Sequence, residues 1–359
     1  MSPYDLAGIT RLVNDMIKYV HGNLLEADAE ALINTVNTVG IMGKGIALQF
    51  RQAFPENYKV YKKACDQGTV KIGTVFFVTT GQLENPRYII NFPTKQHWKE
   101  NTKIEYIQAG LIDLVRVITE NNIRSVAIPP LGCGNGGLQW EMVRPIIESE
   151  LAALDNVQIL LYEPKGSPDA DKMRISTNKP NMTLARAVII SLMSRYAIPG
   201  YKLSLLEVQK LAYLVQESGQ PLKLDFQKYK YGPYAETLQH ALQSMEGHFI
   251  RGYGDRSKDA SMYLLPDAVS EAENYLQQFP EANTHIDKVA ELIDGLETPY
   301  GMELLATILY VTKENPKAKY DVEESINGVH SWTERKRIIF QRKHIEALWA
   351  RLHDQGWIA

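Results

Sequence analysis

Asn34-Thr35-Val36-Asn37-Thr38-Val39-Gly40-Ile41-Met42-Gly43-Lys44-Gly45-Ile46-Ala47 carries three glycines between two apolar runs. Residues 31–36 read as a strand, and helical spacing begins at about Ile46. A strand that ends in a glycine loop and feeds a helix N-terminus makes a phosphate-sized cradle. Free N–H groups and the helix dipole both favour an anion there. Gly43 and Gly45 permit close approach of backbone to ligand, and Lys44 is a candidate phosphate clamp. The stretch matches neither the Walker pattern nor the dinucleotide fingerprint, and an ordinary tight turn would use the same residues. A second loop, Gly132-Cys133-Gly134-Asn135-Gly136-Gly137, follows another strand pattern at 125–128. Four glycines in six positions cost considerable chain entropy, which a backbone nest around a diphosphate would justify. Two such loops on one sheet predict a nucleotide pocket.

The chain has 359 residues, enough for two domains, with 45% hydrophobic and 23% charged residues. Net charge is −3, so nucleic-acid contact must come from local patches and not from an overall basic excess. Cys65 and Cys133 are too few for a disulfide scaffold, which suits a reducing compartment. The two cysteines and eight histidines form no zinc pattern, so neither a metal nor a cofactor is expected. No signal peptide and no long uncharged apolar run is visible. A cytoplasmic protein without a membrane partner is the expectation.

The first part alternates strands and helices. Strands are expected at 17–21, 31–36, 72–79, 88–92, 125–128 and 158–162, and helices at 46–53, 103–121 and 140–154. This predicts an α/β domain over 1–165 with a central sheet flanked by helices. A polar stretch with proline and glycine, Glu163-Pro164-Lys165-Gly166-Ser167-Pro168-Asp169-Ala170-Asp171, predicts a linker over 166–180. Helical spacing then recurs at 183–196, 204–218, 234–245, 269–279, 284–295, 299–312 and 333–352, which predicts a mainly α-helical domain over 181–359. Between Asp259 and Glu303 lie ten acidic residues and one base, Lys288. They form either a solvated face or a surface for a basic partner.

The candidate catalyst lies in Asn91-Phe92-Pro93-Thr94-Lys95-Gln96-His97-Trp98, where a strand ends and its polar groups reach the sheet edge. A lysine whose pKa is lowered can attack an anomeric carbon or stabilise an oxyanion, which singles out Lys95. His97 is a candidate acid/base group and Trp98 a lid or a core anchor. Asn23 and Asn37 offer uncharged groups to ribose hydroxyls. Asp28 suits either an adenine amine or a helix start, and Cys133 reads as a packing residue because no histidine is near it in sequence.

Taken together, these segments resemble a macrodomain, the ADP-ribose-binding α/β fold, over about residues 14–163. His21-Gly22-Asn23-Leu24-Leu25, 34–45, 88–95 and 132–140 are most similar to the DarG antitoxin family, in the subgroup of the animal terminal ADP-ribose glycohydrolase. That resemblance implies removal of ADP-ribose from DNA, with a required lysine that falls on Lys95. The family's ADP-ribose contacts fall on Asn23, Asn37, Gly43, Gly45, Gly134 and Gly136. Asp28, Lys44, Ile46, Thr94, Gly132, Cys133 and Asn135 complete the expected binding set. The animal enzyme's aspartate is replaced here by Gly136, so its adduct mechanism does not transfer whole. In the second half, Leu205-Leu206-Glu207-Val208-Gln209-Lys210-Leu211-Ala212-Tyr213-Leu214 and 226–234 resemble helical toxin-neutralising domains. The implied partners are ADP-ribosylated DNA as substrate, ADP-ribose as product, and a DarT-like DNA ADP-ribosyltransferase toxin sequestered by the helical half. Two other readings use the same pocket: binding of ADP-ribose without cleavage, and deacylation of O-acetyl-ADP-ribose.

Overall fold

The computed structural model describes residues 16–164, 168–198, 200–254, 256 and 260–358. Contacts divide the chain into two compact units, the first ending at Asn178 and the second beginning at Lys179. The first is built on a six-stranded sheet of β1 (Ile17–Val20), β2 (Ala31–Asn37), β3 (Phe76–Thr79), β4 (Tyr88–Lys95), β5 (Ser125–Ile128) and β6 (Gln158–Tyr162). Its order is β1-β6-β5-β2-β4-β3, parallel throughout except for the antiparallel edge strand β3. The carboxyl ends of β1, β2, β4 and β5 therefore share one edge, and both glycine loops leave from it.

Alternate residues of the central strands face opposite layers, as a period of two requires. Ile33, Ile90, Phe92, Val126 and Ile128 pack with Leu111, Leu114 and Ile118 of α3 (Ile104–Glu120) and Val143 and Ile147 of α4 (Trp140–Leu151). On the other face Leu32, Ile89 and Ala127 meet Phe50 and Ala53 of α1 (Gly45–Ala53). Val36 and Met42 meet Tyr61, Ala64 and Cys65 of α2 (Pro55–Asp66). Burying each large apolar side chain here contributes about 1.5–3 kcal/mol before entropy is charged. The mixed α/β sandwich matches the expectation from sequence. Helix α2 was not anticipated, because only Asn57, Tyr61, Ala64 and Cys65 of its twelve residues are buried. Strand β4 runs three residues past the expected end, to Lys95.

The second unit is largely helical, again as expected. Its helices are α5 (Leu184–Tyr196), α6 (Leu205–Glu217), α7 (Glu236–Met245), α8 (Pro266–Leu276), α9 (Pro280–Ile293), α10 (Pro299–Glu314), α11 (Val322–His330), α12 (Glu334–Ile339) and α13 (Arg342–Asp354). Among the described residues it also holds five short strands, β7 (Leu203–Ser204), β8 (Gln227–Tyr229), β9 (Gly232–Tyr234), β10 (Ile250–Arg251) and β11 (Ser261–Leu264), too short for a period to show. The single helix expected at 333–352 is two, because buried Phe340 is extended (φ −89°, ψ 100°) and turns the chain between α12 and α13. Ser204 and Glu207 form a capping box at the start of α6, and the Glu207 carboxylate also accepts from the Tyr196 and Tyr201 hydroxyls at 2.6 Å each. Glu303 on α10 is buried and accepts from Lys336 at 2.5 Å and Arg335 at 2.7 Å, so it belongs to no solvated acidic face. The exposed acids of the acidic stretch lie mainly on α8 and α9, Asp267, Glu273, Glu281, Asp287 and Glu291 among them. No helix among the described residues is long and apolar enough to cross a membrane.

The expected linker is only partly free of the first unit. Lys165, Gly166 and Ser167 lie outside the described residues. Beyond them Met173 is buried, the Arg174 guanidinium lies 5.2 Å from the Phe54 ring centre, and Ser176 N–H donates to the Gln52 carbonyl at 2.8 Å. A fragment ending at Lys165 therefore forfeits the Met173 burial, worth about 2 kcal/mol. Its thermal midpoint is expected to fall several degrees below that of a fragment ending at Asn178; equal midpoints would show that residues 170–178 add nothing.

Candidate functional site

The site starts from an irregularity in the β2–β4 ladder. Val36 pairs with Pro93, but Asn37 pairs with Lys95, so Thr94 is an inserted residue. Pro93 has no N–H to give the ladder, and a bulge at such a point re-aims the next side chain. Lys95, and not Thr94, thereby comes opposite Asn37. The Thr94 hydroxyl instead turns to the Val36 carbonyl at 3.4 Å.

The Lys95 side chain is buried and its Nζ donates to the Asn135 carbonyl of the second glycine loop. Burial disfavours the ammonium and pushes the Lys95 pKa below its ordinary value. Asn135 also meets the first loop, since a Cβ placed on Gly45 would lie 2.8 Å from its side-chain amide. Gly45 has φ +59°, a left-handed conformation that favours glycine there. Two loops separated by ninety residues and the strand-end lysine thus meet around one residue. Lys44 is exposed at the N-cap of α1, and no side chain caps the first turn, which leaves the N–H groups from Gly45 and Ile46 onward open to an anion.

Asn37 is buried and spent on its own loop. Its side-chain carbonyl accepts from Val39 and Ile41 N–H at 3.1 and 3.2 Å, and its amide donates to the Ile41 carbonyl at 2.6 Å. The Tyr61 hydroxyl donates to the Asn37 main-chain carbonyl at 2.5 Å. These bonds and buried Met42 shape the path to Gly43 and Gly45. Asn23, past β1 on the same edge, accepts from Leu25 N–H and donates to Glu26, both at 3.1 Å. Asp28 is not brought to this edge. It precedes β2, so the seven residues of that strand, at about 3.3 Å each, separate it from the loops. There it accepts from Asn85 at 2.7 Å beside an open groove of about 400 Å³ lined by Leu25, Pro86 and Arg174.

In the second loop Gly132 has φ +72° and Gly134 has open space where a Cβ would be. The Cys133 thiol is pushed up to about 11 by burial, which keeps it protonated and suits packing and not nucleophilic attack. Gly136 has no room for a side chain as the loop stands: a Cβ would stand 2.1 Å from the Gly132 carbonyl oxygen and 2.5 Å from the Thr102 hydroxyl. A carboxylate at 136 would force the loop backbone to shift. His97 accepts from Lys99 N–H through Nδ1 at 3.3 Å, and Trp98 is half exposed, so it is no core anchor. Tyr61, Thr102 and the Thr38 contacts to the Gln96 carbonyl escaped the sequence reading, because nothing local marks a contact across the fold. Among the described residues no cluster of His, Cys, Asp or Glu could hold a metal.

Residues 33–147 match the Macro domain family. A DNA ADP-ribosyl glycohydrolase of Thermus aquaticus is 46% identical over 341 residues, 95% of this chain and 94% of that protein. The protein so named in Mycobacterium tuberculosis is 44% identical over 347 residues, 92% of this chain and 97% of its own. The solved macrodomain of Mycobacterium tuberculosis DarG is 58% identical, covering 42% of this chain and 99% of that chain, with a TM-score of 0.42.

Gly136→Ala should lower stability by about 1–3 kcal/mol through overpacking, whereas Gly134→Ala should leave the thermal midpoint nearly unchanged. Thermal unfolding of the two variants checks this; equal effects would mean the second loop is not packed as described.

Proposed function

The chain belongs to the family of DNA ADP-ribosyl glycohydrolases, and from that premise we propose that its first unit cleaves the bond between ADP-ribose and a thymine of single-stranded DNA. It is a glycohydrolase with a macrodomain. The observation that carries the finer reading is Lys95, buried, lowered in pKa and bonded to Asn135 between the two glycine loops.

In this reading the N–H groups from Gly45 and Ile46 onward and the Gly132–Gly137 backbone hold the diphosphate. Gly43 lets the first loop close on it, and Asn23 and Asn37 keep the loop ends in place. Lys95 then faces the anomeric carbon of the distal ribose as a neutral amine. The bond from that carbon to the thymine nitrogen breaks, water supplies the oxygen, and the departing base takes up a proton. Preorganised groups stabilise the oxocarbenium-like charge more than water could. Because the loop as it stands has no room for a carboxylate at 136, a substrate phosphate oxygen is assigned as acceptor of the water's proton.

The second unit is assigned to hold the DarT-like toxin. A protein that binds DNA offers cationic sites to phosphates, and the acidic outer faces of α8 and α9 complement them. Sequestration and reversal would then be separate protections carried by separate units.

Lys95→Ala should abolish release of ADP-ribose from modified single-stranded DNA, followed by mass spectrometry, while ADP-ribose affinity changes little. Wild-type turnover should rise with pH and level off above the Lys95 pKa, below the ordinary 10.5, because the neutral amine is the working form. Unchanged turnover in the variant would remove Lys95 from the chemistry. For the second unit, Glu273→Lys with Glu281→Lys should weaken toxin binding at least tenfold in a titration and leave hydrolysis intact. Undiminished binding would place the toxin elsewhere.

A further inference from the structure

We infer that Trp98 and Lys99 form a platform for the DNA strand beside the modified nucleotide, an assignment that rests on the glycohydrolase reading of the Lys95 site. The segment that carries them is fixed at both ends to the pocket. Thr38 donates through its N–H and its hydroxyl to the Gln96 carbonyl at 3.2 and 2.9 Å, which ties the start to the first glycine loop. Thr102 N–H donates to the Gly136 carbonyl at 2.9 Å, which ties the end to the second. Between these anchors a turn closes from Glu100 N–H to the His97 carbonyl at 3.0 Å.

Trp98 sits on that turn, three residues past the catalytic lysine, with 50% of its surface exposed. An indole left in water on a backbone held at both ends presents a large, rigid apolar face at low ordering cost. The His97 ring centre lies 5.5 Å from it and the Lys99 ammonium 5.0 Å. Lys99 and Lys103 make no ion pair among the described residues, and Lys103 approaches the Tyr106 ring at 5.6 Å. Of the acids close by in sequence, Glu100 turns its carboxylate back to the His97 N–H at 3.4 Å, and Glu105 is exposed on the first turn of α3.

A single strand offers what this rim lacks. Each base has a π face for an exposed aromatic, and each phosphate an anion for a lysine; the pairing tolerates any sequence. The glycine loops account for the ADP-ribosyl diphosphate, so a cation and a ring outside them fit the chain that continues from the modified thymine. The rim would thus select polymer over nucleoside, without base-specific hydrogen bonds.

The test compares full-length protein on two substrates that share the same linkage, ADP-ribosyl-thymidine and a single-stranded oligonucleotide with one ADP-ribosyl-thymine. Trp98→Ala should lower kcat/KM on the oligonucleotide about tenfold, the scale of one lost base–aromatic stack, and leave the nucleoside and ADP-ribose affinity within about twofold. Trp98→Phe should restore most of the loss, and Lys99→Ala should flatten the salt dependence seen with the oligonucleotide only. Equal losses on both substrates, or none on either, would overturn the platform. Were wild type to cleave neither substrate, the glycohydrolase reading would fail by itself. The platform would then be judged from affinities in the Lys95→Ala protein. There the modified oligonucleotide should bind about tenfold tighter than ADP-ribose, and adding Trp98→Ala should erase that margin; absence of the margin refutes it.

Discussion

A lysine taken out of water must be given a partner or hold its proton less tightly, and in this fold Lys95 does both. Among the described residues its Nζ donates to one main-chain carbonyl, that of Asn135, and no carboxylate is paired with it. A carboxylate would have held the ammonium charged, whereas a neutral carbonyl leaves desolvation in control and lowers the pKa. The same contact sets the second glycine loop against the end of β4. The Gly45–Asn135 approach then brings in the first loop. One hydrogen bond therefore joins the end of β4 to both glycine loops.

Around that bond the backbone has little freedom. The bulge at Thr94 chooses which β4 residue faces Asn37, and without it every later side chain would sit one place out of register. Gly45 is favoured by its left-handed backbone, and Gly136 by close approach to a carbonyl. A carboxylate at 136, on the loop that grips the lysine, would force the backbone around Gly132 to move.

The helical unit handles buried charge in the opposite way. Lys336 and Arg335 share the Glu303 carboxylate, and Thr307 takes a further bond from Lys336 at 3.1 Å. Lys210 is an exception: among the described residues its Nζ donates to the Pro233 carbonyl at 2.6 Å, and burial, with Lys336 adding to it, lowers its pKa to about 7. Desolvation and pairing nearly cancel in such networks, and their usual effect is to select one packing arrangement. In the first unit the buried lysine joins the end of β4 to a glycine loop; in the second, Glu303 joins α10 to α12 and Lys210 joins α6 to β9.

Strands, main helices, the two-part division and the two glycine loops were legible because each is local. Alternation of two, spacing of 3.6 and runs of glycine appear within a dozen residues. Lys95 was legible for the same reason, as a polar residue where a strand pattern stops. Helix α2 was not, since its buried stripe of Asn57, Tyr61, Ala64 and Cys65 keeps helical spacing but holds few strongly apolar residues, and neither was the break at Phe340, which long-range burial enforces. Asp28 is carried to the far end of β2 from the glycine loops, a placement its neighbours in sequence do not reveal. What the sequence alone determined is the kind of layers and the kind of loops. Which residues meet was decided only by tertiary structure: the bulge that selects Lys95, Asn135 as the hub, and Gly136 as a place with no room for a side chain. Those outcomes depend on contacts between segments tens of residues apart, and no local pattern encodes a distance.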